Sequence, residues 1–379
     1  MRSLILITAS LLLTVLLGEG LLRLAGYAPR TLIANPKFSG NTWAKQDARL
    51  GWTNRQGTFR SDEYGNVMMN FGPTGRRASW SAQTKPARQT VYVIGGSFTQ
   101  GYGVMDADTY VYHLNELFPD VMFENFGVGA YSTYQSLLRL NQLLADAGPG
   151  HAPDLVIYGH IGDHEQRNVA TYRWITSLTD SAGHYLVPPH VTMSNGELVE
   201  HPQHIVREWP LETHSTFLTL LHDAALRLRY LDRSSQRRAV TDELIRQMQM
   251  AAVDSGTRLL VVLLNNVKDG LIPYLEKHHI TYLDCVNPAF ETDPSYRVGG
   301  EGHPSALQHD QWANCIREFL DNSLSVEVFP GKTRSSTGKH LEFRVTPQLK
   351  PCRNRNGNRG TAVIACHADV PPPLPRHAC

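Results

Sequence analysis

The feature that most constrains the fold is an alternation of short apolar runs with amphipathic segments between residues 90 and 320. Five runs have the lengths and compositions of strands buried on both faces: 90–94, 121–126, 154–158, 258–264 and 280–283. Apolar residues at helical spacing mark four segments: 108–118, 134–147, 239–252 and 306–320. This alternation predicts an α/β fold with a parallel sheet covered on both sides, and ligands beyond the carboxyl ends of the strands.

One stretch breaks the alternation. Residues 165–237 contain a hairpin-like turn at 194–196 and an amphipathic segment at 217–230, which predicts a lobe inserted beside the sheet. The residues from about 330 onward are basic, polar and proline-rich without periodicity, so they are expected to be disordered. The predicted organisation is an N-terminal segment 1–26, an irregular β and loop lead-in 27–89, a domain 90–325 that contains the lobe, and a tail 326–379.

The N-terminus indicates export. Residues 4–17 are apolar apart from small hydroxyl residues, and the apolar pattern continues to Ala25 with interruptions at Glu19 and Arg23. No clear Ala-x-Ala cleavage site follows, which favours an uncleaved signal-anchor with its basic end inside the cell. A cleaved signal peptide is the alternative. Either segment places the rest of the chain outside the cytoplasm.

Charge and cysteines restrict the partners and the compartment. A formal net charge of +1 gives no reason to expect nucleic acid as a partner. The chain has five cysteines, which suits an oxidising compartment. Cys285 follows a predicted strand and Cys315 lies on the last predicted helix, so these two are candidates for a disulfide. Cys352, Cys366 and Cys379 fall in the tail.

Two short motifs carry candidate chemistry. The run GGSFTQG at 95–101 follows the first predicted strand, where a tight turn and the start of a helix expose a hydroxyl and suit negative charge. Such a glycine-rich turn also binds phosphates or simply turns the chain. The run EGHPS at 301–305 offers His303 as a general base for Ser97, although 17 histidines are present and any of them is weak evidence alone.

Four ordered blocks make the pattern specific: GGSFTQG, NFGVGAYST at 125–133, YGHIGDHEQRN at 158–168 and EGHPSALQH at 301–309. Their order and strand-end placement, over roughly residues 45–322, resemble the SGNH/GDSL hydrolase family and its membrane-anchored bacterial branch. The resemblance implies a flavodoxin-like three-layer α/β/α fold with a five-stranded parallel sheet. It also implies Ser97 as nucleophile and His303 as base, with an oxyanion hole built from the serine N–H, a glycine N–H and an asparagine side chain.

The sequence departs from the family pattern at the acid and in the second block. Gly300 and Glu301 stand where the family usually has its aspartate, so Glu301 is the candidate acid and Asp284 the fallback. The second-block glycine falls on Gly129 or Ala130, and a backbone N–H can donate from either.

The third block lacks the asparagine that the resemblance calls for. His160, His164, Arg167 and Asn168 are candidates for the missing donor, because the ionised Asp163 can only accept hydrogen bonds. His160 and His164 would also suit a metal on a helix, but no third ligand is evident and no metal site is expected. Asp106 and Asp108 are expected to cap the following helix.

These residues predict a serine esterase or acylhydrolase that works through an acyl-enzyme and needs no cofactor. The exported, anchored chain suggests an ester-bearing small molecule, glycan or lipid of the cell envelope as substrate. The resemblance places the domain on the periplasmic side of a bacterial cell membrane. An O-acyltransferase with the same site is one alternative. A catalytically degenerate domain that binds envelope glycans is the other.

Overall fold

The structure is a computed structural model that describes residues 2–36, 38, 42–61, 66–80, 87–231, 233–265, 270–299 and 302–324. The chain divides into two units, residues 1–320 and residues 321–379. Only residues 321–324 of the second unit are described, as the end of a helix. The predicted tail with its three cysteines therefore lies outside the described residues, and so does Glu301.

The secondary structure is mixed. The helices are α1 (Arg2–Leu24), α2 (Ser97–Gln100), α3 (Tyr110–Leu117), α4 (Thr133–Ala147), α5 (Asp163–Asn168), α6 (Tyr172–Ile175), α7 (Thr216–Arg229), α8 (Arg233–Asp254), α9 (Leu271–Lys277) and α10 (Ala306–Leu324). The strands are β1 (Ala44–Asp47), β2 (Gly51–Asn54), β3 (Gly57–Ser61), β4 (Val67–Phe71), β5 (Gln89–Gly95), β6 (Val121–Asn125), β7 (Leu155–His160), β8 (Tyr185–Val187), β9 (His190–Ser194), β10 (Glu197–His201), β11 (His204–Val206), β12 (Arg258–Leu263) and β13 (Tyr282–Asp284). Short 3₁₀ turns span Asp106–Asp108, Glu212–His214 and Pro294–Tyr296.

A five-stranded parallel sheet forms the centre of the fold. Its order is β13-β12-β7-β5-β6, with parallel pairing at every step. Numbered along the chain within the sheet, this is the 2-1-3-4-5 order of flavodoxin-like folds. The predicted α/β class and five-stranded parallel sheet are confirmed. The order brings the ends of β5, β6 and β7 side by side, and the first three of the four predicted blocks lie at the ends of these strands.

Helices cover both faces of the sheet. On one face α4 packs against α8, and α8 packs against β12. On the other face α3 meets α10, where Tyr110 stacks on His309 and lies edge-on to Trp312. The helix α4 begins at a capping box in which Ser132 and Gln135 satisfy each other's backbone N–H groups. That cap fixes where the loop after β6 ends.

The lead-in forms two hairpins, β1–β2 and β3–β4, that pack onto the strand-end loops. Trp52 donates its indole N–H to the carbonyl of Gly129 at 2.9 Å. Asn54 donates to the carbonyl of Gly127 at 2.9 Å and accepts from the amide of Gln100 at 2.8 Å. Residues far from the sheet domain in sequence therefore hold the loop after β6.

The lobe between β7 and α8 contains a hairpin, two paired short strands and α7. In the β9–β10 hairpin Ser194 pairs with Glu197, and Asn195 and Gly196 form the turn with φ of 51° and 82°. Positive φ at both positions is the two-residue turn that suits the twist of a hairpin. The predicted hairpin-like turn and amphipathic helix are both present. The domain boundaries themselves stay a prediction.

The N-terminal helix α1 is long and apolar enough to cross a membrane, a property that signal sequences share. Its last turns contact the lobe. The carboxylate of Glu19 accepts hydrogen bonds from the backbone N–H groups of Thr216 and Phe217 and from the hydroxyl of Ser215. Arg23 donates to the carbonyl of His214 at 2.7 Å. Glu19 thus caps the first turn of α7.

Two predictions about local chemistry have opposite outcomes. Cys285 and Cys315 form a disulfide with Cα atoms 5.9 Å apart, as predicted. The prediction that Asp106 and Asp108 cap α3 is wrong, because Thr109 caps this helix and accepts from the N–H of Tyr112. Asp106 instead pairs with the buried Arg77 at 2.8 Å.

Candidate active site

Ser97 begins a one-turn helix directly after strand β5, which lies between β7 and β6 in the sheet. Gly96 is the N-cap of α2, and Ser97 is its first residue. The backbone N–H groups at such a helix start have no partner within the helix, so they point outward and favour negative charge. Ser97 is 6% exposed. The hydroxyl and the N–H of Ser97 therefore face a sheltered site at the carboxyl end of the sheet.

The other end of α2 is held by two side chains from outside the motif. Asn125 donates to the carbonyl of Thr99 at 2.9 Å. Arg77 donates through Nη1 to the carbonyls of Gln100 and Gly101 and through Nη2 to that of Val104. These carbonyls would otherwise be unsatisfied at a buried helix end. The cation also complements the negative end of the helix.

His303 lies beside the serine. Its Nε2 is 3.2 Å from Oγ of Ser97, a hydrogen-bonding distance. The imidazole ring packs edge-on against Tyr102 and Phe98, with centroids 5.0 and 6.0 Å away. The carbonyl of His303 accepts from the N–H of Val298 at 2.8 Å. The structure brings together the predicted nucleophile and base, which are far apart in the sequence.

The candidate acids differ in what the structure describes. Glu301 lies outside the described residues, and its role stays a prediction. Asp284 ends the edge strand β13, and its carboxylate accepts the N–H of Val286 at 3.1 Å. Burial raises the pKa of Asp284. No ion pair between described residues joins Asp284 to His303.

The loop after β6 carries the second-block candidates. The carbonyl of Gly129 is bound by Trp52, and a Cβ at Gly129 would stand 2.8 Å from the ring of Trp43. The φ of Gly129 is not in the left-handed region, so its backbone conformation does not call for glycine. The close packing of Trp43 is the reason that a side chain would not fit there. Ala130 is the residue with positive φ, at 66°, which strains the alanine backbone. Neither N–H hydrogen-bonds to another described residue.

The segment after β7 places His164, the second residue of α5, against the turn of residues 95–97 that carries Ser97, named the nucleophile turn after the proposed role of that serine. A Cβ at Gly96 would stand 2.7 Å from Nε2 of His164. That nitrogen is buried and has no hydrogen-bond partner among the described residues. On the other side of the ring, Nδ1 lies 2.7 Å from the Tyr158 hydroxyl. Burial, with the nearby charges of His160 and Arg167, lowers the pKa of His164 well below its usual value.

The other donor candidates occupy different environments. Asn168 uses its amide N–H groups on the hydroxyls of Thr133 and Thr241, which leaves none for an oxyanion. Arg167 donates to the carbonyl of Tyr131 at 3.1 Å. Burial lowers the pKa of His160 to about 3, and its Nε2 has no partner among the described residues. Arg167 also approaches this turn, since a Cβ at Gly96 would stand 3.7 Å from its Nη1, but that nitrogen donates to the carbonyl of Tyr131. His164 lies closer, and its Nε2 has no hydrogen-bond partner among the described residues.

Metal ligation finds no support in the part of the chain that the structure describes. No group of three or more His, Cys, Asp or Glu side chains there is arranged to hold a metal ion. His160 and His164 lie with their ring centroids 5.5 Å apart. Their neighbours are Tyr158 and the nucleophile turn.

Sequence reasoning missed Arg77. It lies in the lead-in, carries no motif and follows another arginine, so nothing local distinguishes it. In the structure it is fully buried, and its N–H donates to the carbonyl of Asn125 at 2.9 Å. A bridge between the same residues continues the sheet beyond β6. Its importance arises from contacts that only the folded chain makes.

Comparisons with known proteins give similarity to solved structures only. No family model matches the chain, and no curated protein matches it. One similar structure is a member of the lipolytic protein G-D-S-L family from Veillonella parvula, at 14% identity and a TM-score of 0.36, covering 62% of this chain and 97% of that one. Another is a putative acylhydrolase from Bacteroides fragilis, at 15% identity and a TM-score of 0.33, covering 64% of this chain and 93% of that one. A third is the psychrotrophic esterase EstA from Pseudoalteromonas sp., at 12% identity and a TM-score of 0.34, covering 62% of this chain and 100% of that one. With TM-scores this low, the fold assignment depends on the strand order described above.

Proposed function

We propose that this chain is a serine esterase or acylhydrolase in which Ser97 attacks an ester carbonyl and His303 is the general base. The observation that carries the proposal is the 3.2 Å approach of His303 Nε2 to the Ser97 hydroxyl at the start of a strand-end helix. A nucleophile and a base within this reach, beside unpaired backbone N–H groups, are the minimum set for acyl transfer.

The reaction runs in two halves. Nε2 of His303 takes the Ser97 proton while Oγ bonds to the carbonyl carbon, and the carbonyl electron pair becomes the oxyanion. The oxyanion collapses, the bond to the alcohol breaks, and His303 returns the proton to the leaving alcohol. Water then attacks the acyl-enzyme with His303 again as base, which releases the carboxylic acid and restores Ser97. Glu301 is the proposed partner that keeps the imidazole in the required tautomer.

Three donors are proposed for the oxyanion: the N–H of Ser97, the N–H of Gly129 or Ala130, and Nε2–H of His164. His164 is neutral because burial lowers its pKa. We propose the tautomer with the proton on Nε2, in which Nδ1 accepts from the Tyr158 hydroxyl at 2.7 Å and from the N–H of Ile161 at 3.5 Å. A buried N–H without a partner beside the nucleophile turn supplies what the missing third-block asparagine would supply.

The proposed location is the outer side of a membrane, with α1 as a retained anchor. Glu19 caps α7 and Arg23 binds the carbonyl of His214, so the end of α1 belongs to the folded lobe. The Cys285–Cys315 disulfide suits an extracytoplasmic compartment. Acylated glycans or lipids of a cell envelope are the proposed substrates. Transfer of the acyl group to a sugar hydroxyl would use the same site.

The test is fluorophosphonate labelling of the full chain, located by mass spectrometry. We expect one adduct on Ser97, lost in Ser97→Ala and strongly slowed in His303→Ala. Ser305→Ala is the matched control, because this serine of the base loop donates to the carbonyl of Ser295 and lies outside the proposed machinery.

The outcomes separate the alternatives. Labelling of Ser97 with release of free acid from p-nitrophenyl acetate supports the hydrolase, and acetyl appearing on an added oligosaccharide supports the transferase. No adduct on Ser97 in a chain shown to be folded would overturn the proposal. That outcome would favour a glycan-binding domain.

A further inference from the structure

The junction between α1 and the lobe is built from charged and backbone groups. Glu19 binds the first N–H groups of α7, and Arg23 binds the carbonyl of His214. The N–H of His214 in turn donates to the carbonyl of Leu211 at 2.9 Å. The turn that contains Leu211 is therefore mounted directly beside the end of the apolar helix.

This turn is rigid. The N–H of Glu212 donates to the carbonyl of Trp209 at 3.0 Å, which closes a four-residue turn. The fully buried carboxylate of Glu212 accepts the N–H of Trp209 and pairs with Arg30 and His222 at 2.9 and 2.6 Å. The indole of Trp209 stacks on His222 with centroids 4.7 Å apart. These buried contacts with Arg30 and His222 fix the position of the turn against the lobe.

Leu211, at the tip of the turn, is an unusual residue for a position that faces water. Leu211 has φ of 67° and ψ of 4°, as the third residue of a type II turn does, and that position favours glycine or asparagine. A leucine there strains the backbone. The side chain is nevertheless 71% exposed. Neither backbone preference nor burial in this chain accounts for a leucine at this place.

Other exposed apolar residues surround the junction. Leu24 is 86% exposed and Tyr27 is 54% exposed, and both directly follow the anchored part of α1. Trp209 is partly exposed beside Leu211, and the side chain of Arg23 is half exposed. Aromatic residues with arginine at the end of an apolar helix are typical of the boundary between lipid tails and headgroups.

We infer that the turn of residues 209–212 inserts into the outer boundary of the lipid bilayer, with Leu211 as the inserted side chain. The inference rests on the proposed retention of α1 as an anchor. The bilayer is the occupant because the turn is joined through His214 and Arg23 to a helix of membrane-spanning length. Insertion offsets the backbone strain at Leu211, because it removes the apolar side chain from water. The lobe thereby has a second attachment besides the helix.

The test replaces single leucines by the photo-crosslinker p-benzoylphenylalanine in the full chain, reconstituted in phosphatidylethanolamine–phosphatidylglycerol nanodiscs. The positions are Leu211, Leu13 in α1, and the exposed Leu117 at the end of α3 as matched control. After irradiation, mass spectrometry counts lipid adducts at each position. We expect on the order of ten times more lipid adduct at 211 than at 117, since only the former reaches the acyl chains.

Each outcome decides something. Lipid adducts at position 13 together with only the 117 background at position 211 would overturn the inference and leave the anchor intact. Adducts at 211 to a second protein chain would assign the turn to an interface between copies instead. No adduct at 13 would overturn the anchor and the inference together, while fluorophosphonate labelling of Ser97 would still test the esterase separately. Thermal melts of each variant confirm that the chain is folded.

Discussion

The turn that carries Ser97 and the loop that carries His303 are held in place by different means. Around Ser97, the carbonyls of α2 are bound by Asn125 and the buried Arg77, and a neutral imidazole lies beside Gly96. The imidazole of His303 contacts Ser97, Phe98 and Tyr102, whereas the backbone and hydroxyl hydrogen bonds seen in its loop are local: Val298 to His303, and Ser305 to Tyr296 and Ser295. The segment that carries His303 is instead closed by the Cys285–Cys315 disulfide.

The difference suggests two ways of fixing the proposed catalytic pair. The serine side is held by buried polar contacts from three separate stretches of chain, so it should respond to single substitutions and to acid. The histidine side combines ring packing with a covalent closure around its loop, so it should respond to reduction. The variants below test this division, beginning with the largest expected effect.

Arg77→Met should be the most damaging substitution on the serine side. It leaves Asp106 without its buried partner and several carbonyls without a donor, a loss of about 3–5 kcal/mol in the free energy of unfolding. If the protein remains folded at low temperature, kcat should fall with little change in KM, and Arg77→Lys should restore part of it. Urea unfolding and esterase kinetics measure both effects.

Arg139→Met is the matched control for Arg77→Met. Arg139 is also largely buried and donates to Gln142 and to the carbonyl of Thr74, and none of its hydrogen bonds to described residues reaches α2. The Arg139→Met variant should lower the free energy of unfolding without lowering the kcat of the folded fraction. Equal loss of kcat in both variants would show that Arg77 acts through general stability alone.

Loss of the disulfide should affect the loop that carries His303. The bridge closes a sequence separation of 30 residues, for which the loop-closure model gives about 3–4 kcal/mol of stabilisation. The double variant Cys285→Ser with Cys315→Ser should unfold at correspondingly lower urea concentration and label Ser97 more slowly. An unchanged labelling rate in the folded variant would show that the closure does not position His303.

His164→Phe tests the proposed third donor. Removing one oxyanion donor costs on the order of 100- to 1000-fold in kcat, with KM little changed. His164→Gln should recover activity because its amide N–H can reach a similar position. His160→Phe, which removes a neighbouring buried imidazole, should cost much less activity. If the two phenylalanine variants lose activity equally, the assignment of His164 is wrong.

Acid should unfold the protein through its buried histidines. Burial lowers the pKa of His160, His190 and His309 to about 3 and that of His164 well below its usual value. Unfolding returns each to about 6.5, so between roughly pH 6.5 and 3 the unfolded state binds more protons and stability falls as pH falls. Each group contributes up to about 1.4 kcal/mol per pH unit. Stability should be full above pH 6.5.

The control for the pH profile is a pair of single variants. His309→Gln removes one buried imidazole, and it should flatten the dependence of unfolding free energy on pH by about one proton. The exposed His151 offers the comparison, and His151→Gln should leave the slope unchanged. Parallel slopes in all three proteins would contradict the role of the buried histidines.

The sheet was predictable from sequence because strands buried on both faces leave continuous apolar runs. The strand β7 is buried along its whole length, and its predicted position differs by only a residue or two. The edge strand β13 is shorter than its predicted run because it pairs on one side only. Ser97 and His303 were found through their motifs, and the structure shows their proximity.

What the sequence could not predict depends on contacts between distant residues. Asp106 has the local signature of a helix cap, but the buried cation of Arg77 is the stronger partner, and Thr109 caps α3 instead. The two lead-in hairpins have no long apolar run; Trp52 and Asn54 of β2 bind the loop after β6, and Asn70 of β4 binds Asp106 in the segment after α2. The contact of Glu19 with α7 likewise joins residues that no local pattern connects.

The disulfide has a consequence for when the chain becomes chemically competent. Cys285 and Cys315 bracket the loop of His303, and such a bond persists only where thiols are oxidised. Ser97 can sit in its turn before that bond forms, since no covalent bond is needed there. If the chain is an exported esterase, as proposed, its base is secured only outside the cytoplasm, and newly made chains spare the esters of the compartment that produces them.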